Sequence, residues 1–169
     1  MNELLLWAIR RVRAQTLGLA TDIPAERSCL QSQPGEHHPT WVLGHLVLGD
    51  TYLLSLLGAE DLPADFPALL ARYGPQAPPL PTAGAYDPYS VLVERLRVAD
   101  ARRLEAIDRL TPDALSRATP DPVLAQAQPT IAHHLQALVC HEGYHAGQLA
   151  AWRRAHGLAP TPWAFAPKA

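Results

Sequence analysis

The chain has 169 residues, of which 48 % are apolar and 18 % charged, with a formal net charge of −2. That supplies a sizeable core, excludes a disordered chain and shows none of the basic excess that nucleic-acid binding needs. The two cysteines, Cys29 and Cys140, stand far apart and outside any paired spacing, so a reducing compartment is expected.

The first apolar run, residues 4–9, follows Glu3 and precedes Arg10, Arg11 and Arg13. This order is inverted for a secretion signal, and the run is too short to span a bilayer. A cytoplasmic protein without membrane contact is expected.

Seventeen prolines are present, and none falls in the windows 1–23, 40–62, 89–111 and 130–159. Proline lacks the amide donor and clashes with the preceding helical turn, so such windows mark helices. Asn2 precedes the first, and Pro39-Thr40 precedes the second, which stops at Gly58. Asp87-Pro88 reads as an N-cap with proline at the first helical position, and Thr111-Pro112 closes the third. Thr130 heads the fourth, which ends on Arg153, Arg154 and His156 before Gly157, as the helix dipole prefers.

Leu5, Ile9, Val12, Thr16 and Leu19 form one stripe at helical spacing, and Leu92, Leu96, Ala99, Ile107 and Leu110 form another. No alternation is long enough to build a sheet. The expected fold class is all-α, a four-helix bundle in a single domain over residues 1–169. A long Pro-rich connection, 59–87, would join helices two and three. A short helix over 64–73 and a helical turn over 112–117 would lie in the joins.

Eight histidines are present. His141 and His145 are four residues apart on the fourth window, so both project from one face within reach of one ion. His45 shares a face of the second with Leu48, Gly49, Tyr52 and Leu56, which directs it into the bundle. His134 lies seven residues before His141, ~10.5 Å along a helix axis, too far to join the same ion. It is expected to line a pocket or support the site. His37, His38, His133 and His156 read as surface or cap residues, and Cys140, about 100° of rotation from His141, as a packing residue.

The run His141-Glu142-Gly143-Tyr144-His145 also matches the zinc-protease pattern, with Glu142 as general base. The residues that follow His145 contain no Asp or Glu, Gln148 and Ala151 stand where the longer pattern needs Gly and His, and no edge strand is expected to align a peptide.

Thr40-Trp-Val-Leu-Gly-His45-Leu-Val-Leu-Gly-Asp50 resembles the second-helix motif of the DinB-like (YfiT-like) metalloprotein superfamily. His141-Glu-Gly-Tyr-His145-Ala-Gly-Gln148 is similar to its fourth-helix motif. The resemblance implies a four-helix bundle with one divalent ion, Zn or Ni, held by His45, His141 and His145, with positions open to water or substrate. It implies a metal-dependent enzyme in which the ion activates a low-molecular-weight thiol, as in bacillithiol S-transferases. The alternatives are a hydrolase using metal-bound hydroxide and a non-catalytic metal-binding stress protein. Asp50, Glu142, Tyr144, Gln148 and His134 are the candidates for supporting the ligand rings, because a metal-bound imidazole donates its other N–H to a partner. A small-molecule substrate, such as a cellular thiol, is the expected partner. A homodimer is compatible with the family and with the supply of Trp, Tyr and Leu.

Overall fold

A computed structural model describes residues 3–59 and 64–161. Helix α1, Glu3–Ala20, buries Ile9, Val12, Thr16 and Leu19 of the stripe its spacing sets out, together with Arg13, while Leu5 is half-buried. Asn2 lies outside the described residues. Helix α2, Pro39–Leu56, buries fourteen of its eighteen residues, so it is the central helix of the bundle rather than an amphipathic surface one. It ends at Leu56, two residues before Gly58, which takes φ +87, a left-handed conformation that favours glycine. Residues 60–62 of the expected window lie outside the described residues.

Helix α3, Phe66–Tyr73, lies within the long connection; α4 is Tyr89–Asp108, α5 is Pro112–Ser116, and α6 is Ile131–Ala155. Among the described residues there is no strand; a single antiparallel bridge pairs Ala118 with Thr130 ahead of α6. Among the described residues no helix is long and apolar enough to cross a membrane.

Three helix ends differ from expectation. The N-cap of α2 is His38, whose side chain accepts from Trp41 N–H, and Pro39 takes the first helical position. Asp87 does not cap α4, because its carboxylate is taken by the Tyr73 hydroxyl at 3.0 Å and Arg72 at 3.2 Å; Pro88 holds that place. Thr111 caps α5 through Ala114 N–H instead of closing α4, which has already ended at Asp108.

α1 packs chiefly on α6 and α2 on α4, while contacts between α2 and α6 join the two pairs. One apolar cluster centres on Trp41, Leu43, Leu46, Leu92, Leu96 and Trp152, and a second on Ile9, Leu53, Ile107, Ile131 and Leu135. α3 also rests on α2. There the Tyr73 ring lies against Gly44, where a Cβ would come within 2.2 Å of it. Only glycine at this position lets the connection approach so closely.

Candidate metal centre

His45 on α2 and His141 and His145 on α6 turn their Nε2 atoms toward one point. The His45–His141 and His141–His145 Nε2 separations are 3.1 and 3.2 Å, and all three ligand atoms lie within 4.8 Å of one another. A tetrahedral zinc with bonds of 2.0–2.1 Å spaces its ligand nitrogens by about 3.3 Å, so the donor set fits one divalent ion.

The rings are aimed from behind. His45 Nδ1 donates to the Tyr73 carbonyl at 2.7 Å, and Trp41 stacks on its face with ring centres 4.7 Å apart. His37 stacks on Trp41 at 3.9 Å, half-buried rather than on the surface. His145 Nδ1 donates to Gln148 Oε1 at 2.7 Å. The Gln148 amide then donates to the Tyr144 hydroxyl at 3.0 Å and to His37 Nδ1 at 3.2 Å. With Nδ1 carrying the proton on His45 and His145, Nε2 is left as the metal-facing lone pair.

Electrostatics keep the trio neutral. Burial, then the neighbouring His141 and His45, push His145 down to about 3. Burial also lowers His45 and His141, although the carboxylates of Glu142 and Asp50 pull His141 the other way. Neutral imidazoles are what a cation needs, so no proton has to be displaced at neutral pH.

Asp50 and Glu142, expected beside the ligand rings, are directed elsewhere. Arg13 and Arg103 sit 1 % exposed in the middle of the bundle. Arg13 donates to Glu142 from Nε at 2.5 Å and Nη2 at 3.0 Å, and to Asp50 from Nη1 at 2.8 Å. Arg103 Nη1 reaches Asp50 at 3.1 Å and Glu142 at 3.2 Å, and its Nη2 binds Asp100 at 2.6 Å. Burial alone would raise the Glu142 pKa, but the two guanidiniums more than offset that and hold it below its ordinary 4.5. Glu142 is therefore an ion-pair partner and no general base. The arginines were missed in the sequence, yet a signal was there. Arg13 lies within the stripe Ile9–Val12–Thr16, and Arg103 fills the gap between Ala99 and Ile107.

Tyr144 and Gln148 both touch the centre as described, whereas Cys140, expected to pack against a neighbour, is exposed. On α6 it faces solvent when His141 faces inward. His134 stands apart from the trio but lines the same pocket. This cavity of about 380 Å³ is lined by Leu48, Phe66, Leu70 and Leu138 and also by His45 and His141.

A search of curated proteins finds no match. A family model described as the DinB superfamily matches residues 8–149, a span that runs from α1 to the last turns of α6 and takes in all three histidines. On that match, the chain belongs to the DinB superfamily.

Proposed function

We propose that the protein is a metal-dependent transferase that joins a low-molecular-weight thiol to an electrophile. One observation carries this reading: three neutral imidazoles converge beside a preformed apolar pocket whose volume, about 380 Å³, suits a small molecule. A divalent ion such as Zn or Ni would be held by His45, His141 and His145 and would lower the pKa of a thiol that reaches it, favouring the thiolate near neutral pH.

The chain's own residues do the rest. Tyr73 O and Gln148 Oε1 fix the ring directions, and Leu48, Phe66, Leu70 and Leu138 exclude water from the electrophile. The new bond is sulfur to carbon. The carbon–leaving-group bond breaks with its electron pair, and the thiol proton goes to solvent.

Hydrolysis is less well supported, because Glu142 and Asp50, the acids that act on His141, are both paired with arginine. The test is conjugation of bacillithiol or another cellular thiol to 1-chloro-2,4-dinitrobenzene by zinc-loaded protein, with and without chelator. Metal-dependent conjugation supports the proposal. Metal-dependent ester or amide cleavage without conjugation would replace it by the hydrolase reading, and neither activity by the metal-binding stress protein.

A further inference from the structure

Two turns of α6 before His141 lies a polar group that the proposed chemistry does not use. His134 lines the pocket and is 6 % exposed. Its Nδ1 meets Gln128 Oε1 at 2.5 Å, so Nδ1 carries the proton. Its Nε2 is left as a buried acceptor that no protein group satisfies. Such an atom is costly to leave unpaired, and the cost is relieved when a ligand brings a donor.

The neighbours define which donor. Asp121 also lines the pocket; it accepts from the Tyr52 hydroxyl at 3.1 Å and from Val123 N–H at 2.8 Å, contacts that occupy a carboxylate. Burial keeps His134 neutral. Among the lining residues there is no lysine or arginine. Away from the metal centre an anion therefore finds an acid and no counter-charge, whereas an uncharged N–H or O–H finds a waiting lone pair. On α6 the lining residues between His134 and His141 are Ala137 and Leu138, both apolar.

We infer that His134 Nε2 accepts a hydrogen bond from the co-substrate, an uncharged, apolar-bodied molecule carrying an O–H or N–H donor remote from its reacting atom. Gln128 acts as the positioning residue that fixes the tautomer. The inference rests on the transferase reading, since it names the electrophile's class, but the donor preference is measurable without any thiol.

The full chain, zinc-loaded and again after chelation, is titrated with 4-ethylphenol, 4-ethylanisole and 4-ethylbenzoate. Calorimetry gives affinities, and the ¹⁵N resonance of His134 Nε2 reports the contact. The phenol should bind about tenfold more tightly than the anisole, the worth of one hydrogen bond, and shift that resonance. In the chelated protein, where the carboxylate has no metal to bind, the benzoate should bind more weakly than the phenol. His134→Phe should erase the phenol–anisole difference while leaving anisole binding in place. Equal binding of phenol and anisole by the native protein overturns the inference, as does a preference that survives in the variant. Tighter binding of the benzoate by the chelated protein overturns the claim for an uncharged ligand. Absent thiol conjugation alongside an intact phenol preference would instead count against the transferase reading alone.

Discussion

Glu142→Gln separates a protease-like general base from an ion-pair partner, because the two roles predict opposite losses. The Glu142 carboxylate accepts from Arg13 Nε and Nη2 and from Arg103 Nη1, with its side chain 3 % exposed. Removing one member of a buried ion pair costs 3–5 kcal/mol. Here Asp50 still bridges both arginines, so the lower end applies, about 3 kcal/mol. For a domain of this size each kcal/mol moves Tm by 2–4 °C, which gives a fall of roughly 6–12 °C. The assay is a thermal melt of the purified variant beside the native protein, followed by zinc titration at 25 °C. The variant should melt early, stay cooperative and still take up zinc. Combining it with Arg13→Gln should cost less than the sum of the two single changes, because they remove the same interaction. A Tm within about 2 °C of the native value, together with loss of metal-dependent turnover, would refute the ion-pair reasoning and restore Glu142 as a base.

His145→Ala should leave a helical, cooperative protein but remove most of the metal-dependent rise in Tm. Zinc at 100 times its dissociation constant adds about 2.7 kcal/mol, or roughly 5–11 °C, to the native protein; His156→Ala, whose ring stacks on Trp152 at the end of α6, should preserve that rise. Burial holds His38 down to about 4 from an ordinary 6.5, so the unfolded chain takes up this proton first. The associated stability is fully present above pH 6.5 and is lost as pH falls towards 4. At 1.36 kcal/mol per unit this amounts to ~3 kcal/mol, and the stability of His38→Asn, measured against pH without metal, should fall less steeply over that window. Gly44→Ala should displace the Tyr73 ring, since the added Cβ would lie 2.2 Å from it, and metal titration should show weakened binding because the Tyr73 carbonyl orients His45.

The convergence of the three histidines was legible because helical periodicity puts positions four apart on one face and sets His45 among the inward residues of its own helix. The bundle was legible because proline is nearly incompatible with a helix interior, so the breaks announced the elements. What lay beyond reach was pairing across helices. Asp50 follows His45 by five residues and Glu142 adjoins His141, so proximity in the chain linked both acids to the ligands. In three dimensions both serve arginines from α1 and α4. An arginine on an apolar stripe reads as an interruption when taken alone, and only the facing carboxylates make it a core residue. The start of α2 was set late for a related reason: Pro39 already lies in the helix, and His38, read as a surface or cap residue, is a buried cap whose second nitrogen donates to Leu80 O at 2.9 Å.

The hydrogen bond from His45 to the Tyr73 carbonyl has an evolutionary corollary. A main-chain oxygen survives every side-chain replacement, so the Pro-rich connection can drift in composition while still presenting the same acceptor. It cannot drift as freely in path. One residue inserted or deleted within α3, ahead of Tyr73, would turn that oxygen by about 100° around the helix axis and leave His45 unsupported, although every histidine would still be present. Relatives that keep the three histidines but alter the length of this segment should therefore differ in metal affinity, a divergence that a comparison of ligand residues alone would miss.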